Sequence, residues 1–301
     1  MRRPAIAVAA LGLSLLASDA QGFTHVVQKG DTLASIAERY YGRIQHEKLL
    51  VSANSLDAHG GTPIVPGMRL EVPALSHRRV KKGDTWPELA KTLLGAGHRA
   101  DVISMANGSS PWLTPVEGSE IIVPYNLPVV VTTGDTIVTI AYKFVGDMNK
   151  AWVLDHYNGL KGKRLAPGDV VLVPLTDLPL TDDGKKAVVE SSPLLCSQGA
   201  GETRQTQRKV TIELPTLTAD VRGGRYVDAV TRGSRFLASG TLDKSQLAIV
   251  HRQLLEAYAA LDAPGLAAAS CAEWRKNDPS AKLDPVMMSP KLIQACGKSA
   301  P

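Results

Sequence analysis

From residue 24 onward the apolar positions change period in a fixed order, and they do so three times. His25-Val26-Val27-Gln28 predicts a short strand, and from Leu33 the spacing turns helical, with Leu33, Ile36, Ala37 and Tyr40 on one face. A second helix carries Leu49-Leu50, and Met68-Arg69-Leu70-Glu71-Val72 predicts a closing strand. The second pass reads Arg79-Val80-Lys81, then Trp86, Leu89, Ala90 and Leu93, then Val102-Ile103, then Glu120-Ile121-Ile122-Val123. The third reads Val129-Val130-Val131, then Ile137, Ile140, Ala141 and Phe144, then Val153-Leu154, then Val170-Val171-Leu172-Val173. Each pass is strand, helix, helix, strand. Two antiparallel strands beneath two helices are a compact way to bury one apolar face of each element.

Fixed punctuation accompanies this pattern. Gly30-Asp31-Thr32, Gly83-Asp84-Thr85 and Gly134-Asp135-Thr136 recur at intervals of 53 and 51 residues. Eleven residues after each Asp stands Gly42, Gly95 or Gly146, and twenty-three residues after it stands Asn54, Asn107 or Asn158. The copies close on Val72-Pro73, Val123-Pro124 and Val173-Pro174. The first Gly suits a tight turn, Asp or Thr can cap the helix that follows, and the later Gly can stop it. Three independent spacings shared by three copies define an internal repeat.

These residues resemble the lysin motif (LysM) family: the Gly-Asp-Thr, the Ala-x-x-(aromatic or Leu)-x-Gly helix end, the Asn, and the closing Pro-Gly-x-x-(Leu/Val)-x-Val-Pro. The resemblance implies an α+β chain of three tandem βααβ LysM domains, at 24–73, 78–124 (divergent) and 128–174. It also implies binding of N-acetylglucosamine glycans, chiefly peptidoglycan and sometimes chitin, in a groove between the loop after the first strand and the loop after the second helix. The glycan-binding positions it implies are Gly30, Asp31, Thr32, Leu33, Asn54 and Ile64 in copy one. Gly83, Asp84, Thr85 and Asn107 correspond in copy two, and Gly134, Asp135, Thr136, Ile137, Asn158 and Leu165 in copy three. Two readings of the polar residues stand side by side: they cap and brace the loops, or they touch the sugar. Copy two departs from the pattern: Trp86 and Pro87 follow its Gly-Asp-Thr, and Val116-Glu117-Gly118 replaces Pro-Gly. Trp86 is either core or a stacking face, and this copy is expected to bind weakly or act as a spacer. Short linkers, Ala74–His77 and Tyr125–Pro128, are expected between copies, so that weak sites gain avidity on a polymer.

Residues 175–220 read as linker or irregular, with a short helix from Asp182, a polar loop at Ser197–Arg208 and a strand at Val210–Leu214. A mainly helical domain is expected at 221–297. Its helices carry Tyr226 to Leu237, Leu247 to Leu261 and Leu266 to Trp274, and a fourth starts at Ser289-Pro290. It resembles tetratricopeptide-like hairpins, which implies a protein partner; a plain helical bundle is the other reading.

Composition narrows the rest. The chain has 301 residues, is 44% hydrophobic and carries a net charge of +5 without a Lys/Arg run, so it can build cores but lacks a nucleic-acid stripe. Arg2-Arg3, the apolar run Ala5–Ala17 and Ser18-Asp19-Ala20 read as a signal peptide, residues 1–20, with an uncleaved anchor as the alternative. Export to periplasm, envelope or exterior follows, with the membrane met only in transit. Cys271 and Cys296 can pair in that compartment; free thiols, or pairing of Cys196 within the chain or with another chain, are the alternatives. No zinc-spaced His/Cys cluster and no Gly-x-Ser-x-Gly is present, so no cofactor and no catalytic residue is expected. Glu190-Ser191 matches the acid of lytic transglycosylases only as a dipeptide. The reading is a non-catalytic glycan binder. A wall hydrolase with an unrecognised C-terminal site and an envelope-assembly protein are the alternatives.

Overall fold

The computed structural model describes residues 22–56, 63–191, 201–286 and 288–297. The leader read at residues 1–20 and Cys196 lie outside the described residues.

Three units of one design come first. Unit one is β1 (Gly22–Val26), α1 (Leu33–Tyr41), a 3-10 turn, α2 (Glu47–Ala53) and β2 (Arg69–Pro73). Unit two is β3 (Ser76–Arg79), α3 (Trp86–Leu94), α4 (Ala100–Ala106) and β4 (Glu120–Val123). Unit three is β5 (Tyr125–Val130), α5 (Ile137–Val145), α6 (Ala151–Tyr157) and β6 (Val170–Leu175). Each strand pair is antiparallel, with Val26 opposite Arg69, Arg79 opposite Glu120 and Val130 opposite Val170.

The first helix of every unit starts for the same reason. Thr32, Thr85 and Thr136 take extended backbone and accept the N–H of Ser35, Glu88 and Thr139. Each helix ends where Gly42, Gly95 or Gly146 turns left-handed, at φ 69°, 84° and 80°.

The opening strands begin earlier than the sequence pattern suggests, and this removes the expected linkers. Ser76 and His77 belong to β3, and Tyr125–Pro128 lie within β5. Only Ala74-Leu75 separates β2 from β3, and only Pro124 separates β4 from β5. The units therefore abut. Units one and three contribute to one apolar cluster that includes Ile36, Leu50, Leu70, Leu127, Ile140 and Val171. Across that contact Tyr125 donates to Glu71 Oε1 at 2.7 Å. Tyr157 of unit three is fully buried in the core of unit two, where Arg99 lies 4.5 Å over its ring and donates to its carbonyl at 3.0 Å.

Among its described residues, the segment read as irregular contains two helices. α7 (Asp182–Ser191) packs on unit one: Thr181 N–H donates to Tyr40 O at 2.9 Å. Gly184 permits that approach, since a Cβ there would lie 2.8 Å from the same carbonyl. α8 (Glu202–Arg222) runs 21 residues through the end of the expected polar loop, whose residues 197–200 lie outside the described ones, and through the expected strand. Its stripe is Val210, Leu214, Leu217 and Val221, a helical spacing, all buried. The alternation of Val210-Thr211-Ile212-Glu213-Leu214 is therefore incidental, and Pro215 sits inside the helix on its exposed side.

The remaining helices fall close to expectation: α9 (Tyr226–Ala238), α10 (Lys244–Ala260), α11 (Pro264–Asn277) and α12 (Pro290–Gly297). α10 is opened by a capping box between Asp243 and Gln246. Cys271 and Cys296 form a disulfide with Cα atoms 5.4 Å apart, joining α11 to α12.

Candidate functional site

The loop after the first strand and the loop before the last meet at one end of each strand pair. Gly67 N–H donates to Val27 O at 2.8 Å, Gly118 N–H to Val80 O at 3.0 Å, and Gly168 N–H to Val131 O at 2.8 Å. In the first loop Gly30, Gly83 and Gly134 adopt φ of 94°, 87° and 91°, the left-handed region a β-turn of this kind needs. The turns close through Asp31 N–H to Gln28 O, Asp84 N–H to Lys81 O and Asp135 N–H to Thr132 O.

The polar side chains of the repeat are engaged inside the protein. Each Asp carboxylate accepts the backbone N–H that opens its own turn, Gln28, Lys81 or Thr132, at 2.8 Å. Asp31 also takes His25 Nε2 at 2.9 Å and Arg39 at 3.4 Å. The Gln28 N–H, with smaller help from these two, holds its carboxyl below the usual range. Asp135 is lowered chiefly by the Thr132 hydroxyl, which donates to it at 2.6 Å. The three Thr residues are the helix caps already described.

Each Asn works as a clip between the second helix and the closing strand. Asn158 Nδ2 donates to Leu154 O at 2.8 Å and Leu172 O at 2.9 Å, while its Oδ1 accepts Leu172 N–H at 2.8 Å. Asn54 repeats this with Leu50 and Glu71, and Asn107 with Ile103 and Ile122. Both donors of each amide are spent.

Among the described residues, the loops of units one and three also offer backbone and aliphatic surface. Gly30 and Gly134 are exposed with nothing near a would-be Cβ. Leu33 and Ile64 in unit one, and Ile137 and Leu165 in unit three, are half-buried and rest on the shared core. Such loops can offer amide N–H and carbonyl groups to a neutral polar ligand and apolar contact to its methyl groups.

Unit two differs at the same places, and its sequence departures have a structural cause. Trp86 is only 2% exposed and belongs to the core. The Val116-Glu117-Gly118 loop is docked on the helical part: Lys244 N–H donates to Glu117 O at 3.0 Å and Lys244 Nζ pairs with its carboxylate at 3.0 Å. Gln207 of α8 donates to Gly118 O at 3.0 Å and accepts Glu120 N–H at 3.0 Å. Arg204 donates to Asn107 Oδ1 at 2.8 Å and Glu120 O at 3.0 Å, and its own N–H reaches Glu120 Oε2 at 2.7 Å. The result is a cleft of about 430 Å³ between unit two and the helices. Arg204, Gln207 and Arg208 share one face of α8, a spacing that is legible only if the segment is read as a helix.

His77 of β3 is caught in the same contact. Its ring lies where a Cβ on Gly201 would fall, 2.9 Å away, so the left-handed Gly201 that precedes α8 must lack a side chain. Burial, with help from the Arg204 charge, lowers its pKa to about 4. Glu190 is exposed near the end of α7. Among the described residues no group of three or more His, Cys, Asp or Glu could hold a metal, and no helix is long and apolar enough to cross a membrane.

Comparison with known proteins reaches about half of the chain. Two curated relatives, both esterases of Mycobacterium tuberculosis from different strains, are 30% identical over 151 residues. That stretch is 50% of this chain and 32% of each relative, so the chain spans about a third of the proteins it matches. Residues 25–73 and 129–174 match the LysM domain, a module that typically binds peptidoglycan or chitin-like glycans.

Proposed function

We propose that the chain is an exported, non-catalytic peptidoglycan-binding protein whose LysM-matching units hold a helical segment at the cell wall. The observation that supports it most is the state of the loops in units one and three. The Asp, Thr and Asn of the repeat are engaged internally, while exposed glycine backbone and half-buried Leu33, Ile64, Ile137 and Leu165 remain. An N-acetyl group has one amide donor, one carbonyl acceptor and a methyl, which suits that surface without a nucleophile or metal. Unit two is read as a third, diverged LysM repeat whose loops brace the helices. Helices α9, α11 and α12 are then left to engage a protein partner away from the glycan.

The test is co-sedimentation of the full chain with purified sacculi at physiological salt, with and without excess N-acetylglucosamine oligomers. Retention that the oligomers compete away is the expected result. Protein that stays in the supernatant at low salt overturns the reading, and retention indifferent to the oligomers favours an envelope-assembly role. The name esterase on both relatives keeps a hydrolase as the second reading. Cleavage of a chromogenic ester, or clearing of a murein gel, by the full chain would favour it.

A further inference from the structure

The cleft between unit two and α8 occupies the place where units one and three present their open loops, but its chemistry is different. Trp86 stands where the others have Leu33 and Ile137, and Pro115 stands where they have Ile64 and Leu165. α8 adds Arg204, Gln207, Arg208 and Thr211 to the lining. Arg204 and Arg208 are close enough that the charge of one disfavours the charge of the other. Among the described residues, neither lies within ion-pair distance of a carboxylate.

Two donors in the lining lack partners. The Trp86 indole N–H and Arg204 Nε are buried without a hydrogen-bond partner. Each of the two carboxylates that line the cleft accepts a backbone N–H: Glu120 takes Arg204 N–H at 2.7 Å and Asp243 takes Gln246 N–H at 2.9 Å. Burial raises the pKa of both. A space of this size, with two guanidinium groups and unpartnered N–H donors, is matched by a ligand rich in acceptors and negatively charged.

We propose that this cleft binds a carboxylate-bearing amino-sugar segment, with Arg208 at its exposed side taking the carboxylate and Arg204 supporting it from behind. The inference rests on the glycan reading above and deepens it: units one and three take the neutral acetylated sugar, and unit two with α8 reads the acidic part of the same polymer. The carboxylate has two sources, a lactyl ether on the sugar ring or a peptide attached through it.

The experiment uses the full chain and three probes: chitotetraose, the N-acetylglucosamine–N-acetylmuramic acid disaccharide, and that disaccharide bearing its peptide. Calorimetry gives affinities, and the Trp86 indole resonance, assigned with Trp86→Phe, reports on the cleft itself. Arg208→Glu is expected to weaken at least one acidic probe by roughly ten-fold or more, the scale of a charged hydrogen bond, and to leave chitotetraose unchanged. Arg208→Lys should retain much of the acidic binding, and the Trp86 resonance should move with an acidic probe but not with chitotetraose. Loss for the bare disaccharide identifies the lactyl source, and loss only for the peptide-bearing form identifies the peptide. Acidic affinities unchanged in Arg208→Glu, or a silent Trp86 resonance, overturn the inference while the glycan reading survives on chitotetraose binding. Failure of all three probes together with sacculi overturns both. Should Arg208→Glu lose every probe through misfolding, Arg208→Gln carries the same comparison.

Discussion

Replacing Asn158 with alanine separates bracing from sugar contact. The amide makes three hydrogen bonds between α6 and β6, of 2.8, 2.9 and 2.8 Å, and is half-buried. Each is worth about 1 kcal/mol net, and the Leu172 N–H would be left in a half-buried position without its acceptor, so the loss is about 3 kcal/mol. Hydrogen exchange reads this at the site: the Leu172 amide should exchange about a hundred-fold faster if it opens locally. Asn158→Asp keeps the acceptor but replaces Nδ2, and with it both N–H donors, by one oxygen facing two carbonyls, so it should be no better than alanine. Chitotetraose titrated into the folded fraction should bind the alanine variant as it binds the parent. Stability and exchange unchanged within about 0.5 kcal/mol, with sugar affinity lost, would refute the bracing role and make the amide a ligand contact.

Two further perturbations follow from the contact between unit two and the helices and from the disulfide. His77 is held near pKa 4 by burial, below the free-imidazole value of 6.5, so the folded chain resists a proton that the unfolded chain accepts. Its penalty is absent above about pH 6.5 and grows as pH falls toward 4, reaching roughly 3 kcal/mol. Urea midpoints should therefore fall between pH 7 and pH 4.5, and His77→Gln should flatten that fall; an unchanged slope sinks the assignment. Reducing Cys271–Cys296 opens a loop of 25 residues, worth about 3 to 4 kcal/mol in the chain-entropy account. Mass-resolved hydrogen exchange should then rise in α12 and the end of α11, leaving units one and three unchanged; uniform protection would contradict it.

The repeat was legible because its elements are punctuated by residues with few alternatives. A left-handed Gly30, a capping Thr32 and an Asn54 clip each leave a fixed spacing, and the spacing survives in unit two even where the apolar residues change. The tight junctions were not legible, because Tyr125-Asn126-Leu127-Pro128 contains a Pro and reads as a break. In β5 that Pro128 faces Leu172 in a two-stranded sheet, where a missing N–H costs little. α8 was hidden for the opposite reason. Its β-branched Val210, Thr211 and Ile212 and its internal Pro215 lower local helix propensity, and packing of Leu214, Leu217 and Val221 overrides it. The cleft residues were lost with α8: Arg204, Gln207 and Arg208 form a face only once the helix is known.

The same junctions change how several weak sites would act together. Joined by flexible linkers, the units would search for a polymer independently, and affinity would fall smoothly as the linker lengthened. Here units one and three share a core, Tyr125 reaches Glu71 across it, and Tyr157 plugs unit two. Reorienting one unit would expose apolar surface and break those bonds, so their loops keep a fixed separation. Fixed sites give a high effective concentration when the spacing of sugars along the glycan matches, and almost none when it does not. Affinity should therefore step up at one oligosaccharide length instead of rising gradually. If the proposed glycan sites hold, the packing that makes the sequence's linkers disappear would turn a set of weak sites into a gauge of chain length.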